Sequence, residues 1–196
     1  MQASASPRPA PRALTRGEER TRLLEIIRHK SLLTGRTFQL ASGGTSNYYL
    51  DMKPTTFDPE GLSLIVELVF DLLRAEPDVA AIGGLELGAV PIINPVCARS
   101  WPERPIAGFV VRKEKKGHGT DQKIDGNFRD NSTVILIDDV TTKGGSVMQA
   151  VRAVRERGAR VKKVITIVDR LEGAEAALKA EGIPLVSIFT RDDLLD

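Results

Sequence analysis

Two adjacent acids, Asp138 and Asp139, lie where an apolar run gives way to a segment rich in hydroxyls and glycines. Hydroxyls and unhindered backbone N–H groups are suited to hold a phosphate, above all where a helix begins directly after them. Paired carboxylates beside such a segment add acceptors for sugar hydroxyls. The combination indicates a sugar phosphate as ligand, held by a phosphate loop of Val140, Thr141, Thr142, Lys143, Gly144, Gly145 and Ser146.

The elements that flank the acids explain how they would be positioned. Residues 134–137 are four consecutive β-favouring apolar residues, which predict a strand covered on both faces. Beyond the phosphate loop, apolar residues recur at helical spacing, at Val147, Ala150, Val151 and Val154. The acids therefore stand at the carboxyl end of a buried strand, which is where α/β sheets bind their ligands.

The acid pair also agrees with two other interpretations. An apolar strand followed by two acids also occurs in P-loop NTPases, but these need an upstream Gly-x-x-x-x-Gly-Lys-Ser/Thr, which this sequence lacks. The segment could instead be an ordinary strand–turn–helix connection whose glycines serve only the backbone. The coincidence of hydroxyls, glycines and paired acids favours the phosphate site.

Composition limits the partners. The net charge is only +2 over 196 residues, so we expect no nucleic-acid partner. No segment approaches the ~20 apolar residues needed to span a bilayer, so we expect no membrane association.

The lone Cys97 fits a reducing compartment. Residues 1–14 are rich in Ala, Ser, Pro and Arg, a composition shared with organelle transit peptides, and we interpret them as a disordered tail on a cytoplasmic protein.

The remainder, residues 15–196, is predicted to form a single α/β domain. Thr15 and Glu18 form a capping box for the first helix, and residues of about 32–55 indicate a small N-terminal flap of short strands. From there strands and helices alternate, which predicts a parallel sheet. A segment of about 112–130 has many charges and glycines and no periodicity, and long irregular loops in compact domains are usually functional.

The acid pair and phosphate loop resemble the motif that binds 5-phosphoribosyl 1-diphosphate (PRPP) in the type I phosphoribosyltransferases. Residues 111–120, Val-Arg-Lys-Glu-Lys-Lys-Gly-His-Gly-Thr, are similar to the catalytic loop of the orotate phosphoribosyltransferase family. Residues 38–43, 46–53 and 83–89 also resemble that family, in the same order. The resemblance implies the parallel-sheet type I phosphoribosyltransferase fold with a small N-terminal flap or hood.

The family resemblance also implies a reaction, the transfer of the 5-phosphoribosyl group of PRPP to orotate with release of pyrophosphate. In that interpretation Asp138 and Asp139 contact the ribose, the phosphate loop binds the 5′-phosphate, and residues 83–89 meet the pyrophosphate. In the resembled enzymes the catalytic loop reaches into the neighbouring subunit's site, so the resemblance implies a homodimer. The loop residues with catalytic and PRPP-binding roles are Arg112, Lys113, Lys116 and His118.

Base recognition is implied for two residues. Arg170 matches the family's orotate-binding arginine, where a guanidinium can hold the orotate carboxylate at two points, and Thr142 lies near orotate. A surface salt bridge with Asp169 or Glu172 is the alternative role of Arg170. Lys53 is a candidate for contact with PRPP phosphates. We expect Mg²⁺ as cofactor, held by the substrate and not by a set of protein ligands.

Two positions depart from many bacterial members, which carry lysine where this sequence has Ala41 and Leu87. Without these two lysines, the sequence does not indicate which residues make their contacts with the pyrophosphate. Two rival functions stay open as well: a phosphoribosyltransferase acting on a purine or another base, and a non-catalytic regulator on the same fold that binds nucleotide and RNA. Arg170 and the loop that carries His118 argue against the first, because a purine lacks the carboxylate that the arginine would neutralise. The balanced charge and the intact catalytic loop argue against the second.

Overall fold

The computed structural model of the chain describes residues 14–39, 45–114 and 123–196. Lys116, His118 and Ala41 lie outside the described residues, and so does almost all of the expected N-terminal tail. In the described part, no helix combines the length and apolar character needed to cross a bilayer.

A six-stranded sheet forms the centre of the molecule, in the order β10-β9-β8-β5-β6-β7. Its strands are β5 Ala81–Leu85, β6 Ala107–Val111, β7 Ile124–Gly126, β8 Thr133–Thr141, β9 Arg160–Asp169 and β10 Leu185–Thr190. All neighbours pair in parallel except β6 and β7, which are antiparallel. The predicted parallel sheet is therefore confirmed, with one antiparallel edge strand.

The helices cover both faces of this sheet. They are α1 Arg16–Lys30, α2 Lys53–Thr56, α3 Pro59–Arg74, α4 Val90–Ser100, α5 Gly145–Glu156, α6 Ala174–Ala180 and α7 Arg191–Leu195. Along β8, Ile135 and Ile137 belong to a core shared with α1, α3 and α4, whereas Val134 and Leu136 belong to a second core shared with α5 and α6. Because successive side chains of a strand point to opposite faces, burial on both faces requires the unbroken apolar run seen in the sequence.

The N-terminal part folds as short antiparallel pairs. They are β1 Leu32–Leu33 with β4 Tyr49–Leu50, and β2 Phe38–Gln39 with β3 Thr45–Ser46. The capping box predicted from Thr15 and Glu18 is present at the start of α1. The described residues of the expected flap region therefore form four two-residue strands and lead into α2.

The sequence did not predict β7. Ile124 pairs with Val111 across the two strands, and Arg112 N donates a hydrogen bond to Lys123 O at 2.8 Å. The segment expected to be an irregular loop thus contains a strand, β7, that returns to the sheet edge beside β6. Three residues ending in glycine are too few to show a period-2 pattern.

Close packing between β5 and its neighbours depends on two glycines. A Cβ at Gly83 would collide with the ring of Phe109, and one at Gly84 would collide with the carbonyl oxygen of Ile137. All five residues of β5 are buried, so the neighbours have little space into which to move. Gly83 therefore lets β6 pack closely against β5, and Gly84 lets the carboxyl ends of β5 and β8 approach each other.

We predict that Gly84→Ala lowers the free energy of unfolding by at least about 2 kcal/mol, because the added methyl group meets backbone that cannot move aside. Urea denaturation followed by circular dichroism measures the change.

The matched control is Gly17→Ala in α1, where a Cβ meets nothing within 4 Å. This variant should stay within about 1 kcal/mol of the wild type and lie on the more stable side, because alanine favours helix. Equal stability of the two variants would contradict the close packing assigned to Gly84.

Candidate active site

A cavity of about 380 Å³ opens at the carboxyl ends of β5 and β8. After β5 the chain passes through α4 to β6, which lies toward one edge of the sheet. After β8 it passes through α5 to β9, which lies toward the opposite edge. The cavity therefore lies at the point where the strand order reverses, the usual ligand position in open α/β sheets. Its lining residues are Lys53, Thr56, Phe57, Leu85, Glu86, Leu87, Gly88, Pro91, Lys113, Asp138, Asp139, Val140 and Ser146.

The acid pair forms one wall of this cavity. Asp138 is 8% exposed, and its Oδ1 accepts a hydrogen bond from the backbone N of Asp139 at 3.1 Å. Oδ1 of Asp139 accepts one from the backbone N of Val140 at 2.9 Å. Opposite them, a Cβ at Gly88 would collide with Oδ1 of Asp139 and lie 3.2 Å from Oδ1 of Asp138. The turn after β5 thus contacts both carboxylates with bare backbone.

Burial governs the charge of the pair. The pKa of Asp138 is raised to about 8, mainly because the group is buried and secondly because the charge of Asp139 is close to it. Burial also raises the pKa of Asp139. The charges of Lys113 and Lys53 act in the opposite direction, lowering the pKa of Asp138 and Asp139 respectively. Asp138 therefore retains its proton at a pH where exposed aspartates are ionised.

The phosphate loop borders a second, smaller crevice beside the acids. Its lining comprises Asp138, Val140, Thr141, Thr142, Gly144, Gly145, Ser146 and Val147. Gly144 has φ +81°, a conformation that favours glycine, and α5 begins directly after it. Thr141 is buried, and its hydroxyl donates to Asp169 at 3.3 Å. The first turn of α5 therefore faces the crevice with backbone N–H groups, as anion sites require.

Lysines supply positive charge to the main cavity. Lys53 lines it from the start of α2, and its ammonium pairs with Asp51 at 2.6 Å, a hydrogen bond that raises the pKa of Lys53. Lys113 lines it from the end of β6, where its backbone N donates to Oε1 of Glu86 at 3.0 Å. Lys143, in contrast, is exposed and does not line either crevice.

Arg112 takes a different direction from Lys113. Its Nε donates to Oδ2 of Asp125 on β7 at 2.5 Å, and it is absent from the lining of the cavity. Of the four predicted catalytic-loop residues, the structure therefore brings Lys113 to the acid pair of its own chain and holds Arg112 at the loop base. Lys116 and His118 lie outside the described residues.

Arg170 lies one residue beyond β9, beside the phosphate loop, where its backbone N donates to the carbonyl of Thr141 at 2.9 Å. It pairs with Glu172 at 2.8 Å, one of the partners of the alternative role, but Arg170 is only 8% exposed and Glu172 is half-buried, so the pair does not lie at the open surface. Asp169 instead accepts hydrogen bonds from Thr141 and the backbone N of Leu171. Arg170 does not line the main cavity with the acids.

Sequence reasoning missed several members of the site. Thr56, Phe57 and Pro91 line the cavity without any motif that marks them, because their positions depend on how α2 and α4 pack. The pairing of Arg112 with Asp125 also gave no signal, since it depends on the unpredicted β7. Leu87 lines the cavity and is 63% exposed, so the departure from lysine leaves an apolar side chain at its mouth.

Comparison with known proteins accounts for this arrangement. The family profile described as "Phosphoribosyl transferase domain" matches residues 59–182. An orotate phosphoribosyltransferase from Rhodopseudomonas palustris is 43% identical over 188 residues, which cover 93% of this chain and all of the relative. The chain belongs to the orotate phosphoribosyltransferase family.

Solved structures of orotate phosphoribosyltransferase from Mycobacterium tuberculosis have the same fold. One, in complex with Fe(III) dicitrate, has a TM-score of 0.79 and 36% identity and covers 91% of this chain and 99% of its own. Another, in complex with PRPP, has a TM-score of 0.74 and 35% identity and covers 90% and 98%. The predicted type I phosphoribosyltransferase fold and the predicted family are therefore confirmed.

In this member of the orotate phosphoribosyltransferase family, the acid pair should be a local source of instability. The pKa of Asp138 is raised in the folded state, so the folded protein binds more protons than the unfolded chain between about pH 4 and about pH 8, and stability falls as pH rises through that window. We predict that Asp138→Asn raises the free energy of unfolding by about 1–3 kcal/mol at about pH 8 and not at about pH 4. Urea denaturation at both pH values measures this.

Asp130→Asn is the control, since Asp130 is exposed and its ion pair with Arg157 lies at the surface. It should change stability by less than about 1 kcal/mol at either pH. If Asp138→Asn raises the free energy of unfolding by the same amount at both pH values, burial of the Asp138 charge is not the cause of the gain.

Proposed function

We propose that this protein transfers the 5-phosphoribosyl group of PRPP to orotate, giving orotidine 5′-monophosphate and pyrophosphate in pyrimidine biosynthesis. The observation that carries the proposal is the acid pair, which faces a cavity at the switch point of the sheet and adjoins the phosphate loop. The spatial order of these parts matches that of a ribose joined to a 5′-phosphate on one side and a diphosphate on the other.

The ribose and its phosphate would lie on β8 and α5. Asp138 and Asp139 can accept hydrogen bonds from the 2′ and 3′ hydroxyls, and their negative charge favours a ribose that becomes cationic as the bond to diphosphate breaks. Residues 140–146 would surround the 5′-phosphate, with N–H groups from the start of α5. Binding of a cationic transition state also offsets the cost of ionising the buried carboxyls.

The diphosphate would occupy the opposite part of the cavity. The backbone of Gly88 faces this part. Lys53 and Lys113 supply positive charge, in place of the lysines that many family members carry at the positions of Leu87 and Ala41. Further cations would come from Arg112, Lys116 and His118 of the catalytic loop. Their task is to neutralise the leaving group and to exclude water that would hydrolyse PRPP.

Orotate would bind next to the phosphate loop. The buried Arg170 is suited to hold its carboxylate in a two-point contact, and Thr142 lies in the phosphate loop, next to the Thr141 carbonyl that accepts a hydrogen bond from the backbone N of Arg170. A purine offers no carboxylate to Arg170, so the buried guanidinium favours orotate over a purine base.

Mg²⁺ fits this site as an ion carried by the substrate. The donor set facing the cavity, two carboxylates with hydroxyls nearby, is of the hard oxygen type that Mg²⁺ prefers. Asp138 and Asp139 would hold the ion through ribose hydroxyls or waters, and Mg²⁺ when bound neutralises charge on the diphosphate.

We further propose that the enzyme is a cytoplasmic homodimer. The lone Cys97 fits a reducing compartment. The pairing of Arg112 with Asp125 directs this arginine away from the cavity of its own chain, which agrees with a loop that acts on a neighbouring subunit.

The proposed reaction predicts loss of orotate absorbance when the protein is mixed with orotate, PRPP and Mg²⁺, and no turnover after chelation of the metal. Arg170→Ala should lower kcat/KM for orotate by about 100-fold or more, because a charge-assisted contact to the carboxylate is lost. Arg129→Ala, which removes an exposed arginine that lines a separate pocket, should leave kcat/KM unchanged.

Two outcomes would contradict the proposal. Turnover with adenine or hypoxanthine but none with orotate would favour a purine phosphoribosyltransferase. Tight RNA binding without turnover of any base would favour a non-catalytic regulator.

Sharing of the catalytic loop can be tested by subunit mixing. One variant, Lys116→Ala/His118→Ala, keeps the acid pair, and the other, Asp138→Asn/Asp139→Asn, keeps the loop. If each site combines the acids of one chain with the loop of its partner, mixed dimers regain one intact site. Equal mixing with exchange of subunits should then restore about a quarter of wild-type activity, since half of the dimers are mixed and each has one of two sites.

If both parts act within one chain, mixing inactive variants restores nothing. Mixed dimers can be isolated by giving the two variants different affinity tags. If these isolated mixed dimers have no activity, the loop is not shared between subunits.

A further inference from the structure

The guanidinium of Arg170 is held from the N-terminal flap by Tyr48. Nε of Arg170 donates to the hydroxyl oxygen of Tyr48 at 3.1 Å, and Cζ lies 4.8 Å from the centroid of the Tyr48 ring. The two residues are 122 positions apart in the sequence. A single tyrosine therefore contacts the guanidinium both with its hydroxyl and with its ring.

Tyr48 is itself fixed by the flap. Its backbone N donates to Oγ of Ser46 at 3.3 Å, and the next residue, Tyr49, pairs with Leu33 in the ladder between β1 and β4. The Tyr49 ring points elsewhere, stacking on Phe38 with centroids 5.7 Å apart. The adjacent tyrosines thus have separate partners.

The contacts matter because a guanidinium is planar and its five N–H donors have fixed directions. Tyr48 engages Nε and Glu172 engages Nη2. These two contacts fix the plane of the group in a place where Arg170 is 8% exposed. They leave further N–H donors for a ligand. A carboxylate that binds at two points needs that plane to be set in advance, since otherwise binding must also order the side chain.

We propose that Tyr48 is a positioning residue for base selection, which orients the Arg170 guanidinium so that it distinguishes a base with a carboxylate from one without. The proposal rests on the function proposed above, in which Arg170 binds the orotate carboxylate. It assigns to the flap a part in specificity for the base, in addition to any role in covering the site.

The test compares binding of orotidine 5′-monophosphate and uridine 5′-monophosphate, which differ only in the carboxylate. Calorimetric titration with the full-length protein should show that Tyr48→Phe, which keeps the ring and removes the hydroxyl, weakens the first ligand by roughly 5- to 20-fold. It should leave the second ligand within about 2-fold, because that ligand gives Arg170 nothing to bind. Tyr49→Phe is the matched control and should change neither.

A double-mutant cycle asks whether Tyr48 acts through Arg170. In the Arg170→Ala background, Tyr48→Phe should cause no further loss of affinity for orotidine 5′-monophosphate, since the group that it positions is gone. A purely structural role would instead weaken both nucleotides and would persist in that background.

The proposal is overturned if Tyr48→Phe weakens both nucleotides equally, weakens neither, or keeps its full effect without Arg170. Failure of the proposed function is a separate result: the wild type would then bind both nucleotides alike, or would not convert orotate at all. Suppose that the wild type converts orotate and prefers the nucleotide with the carboxylate, but that Tyr48→Phe binds both nucleotides as the wild type does. That result rejects the positioning role of Tyr48 and leaves the proposed function intact.

Discussion

The site depends on a contact between backbone and carboxylate. Gly88 abuts the oxygens of Asp138 and Asp139, and Gly84 abuts the carbonyl of Ile137, so that no side chain separates the ends of β5 and β8. A larger residue at either glycine would push apart the turn proposed to hold diphosphate and the strand proposed to hold ribose. In the proposed reaction, the ribose and the diphosphate of PRPP would share a cavity of about 380 Å³ because these positions carry no Cβ.

The same packing creates an electrostatic cost. Two acids are brought into a wall of low exposure, where burial raises the pKa of each. Lys113 and Lys53 offset this only in part. We therefore expect the empty site to lower the stability of the fold, and to favour a ligand that offers positive charge or hydroxyl donors. The proposed reaction supplies such a partner in a ribose that becomes cationic.

Much of this could be predicted from sequence, for identifiable reasons. Strand β8 was predictable because burial on both faces leaves an unbroken apolar run, and α5 because apolar residues recur at helical spacing after the glycines. The phosphate-binding role of the loop between them stays a prediction. Strand β7 was not, because three residues show no period. Contacts across long sequence separations escaped as well: nothing local indicates that Arg112 meets Asp125, or that Tyr48 meets Arg170. Such pairs are set by the fold, not by neighbours in the chain.

The central claim is that the acid pair holds the pentose of PRPP. Calorimetric titration of PRPP with Mg²⁺ into the protein tests it most directly, because binding is measured without the second substrate. The account predicts saturable binding at one site per chain and a loss of affinity of about 100-fold or more in Asp138→Asn/Asp139→Asn, whose amides keep the shape but lose the charge. Equal affinity of the two proteins, or no saturable heat with the wild type, would contradict it.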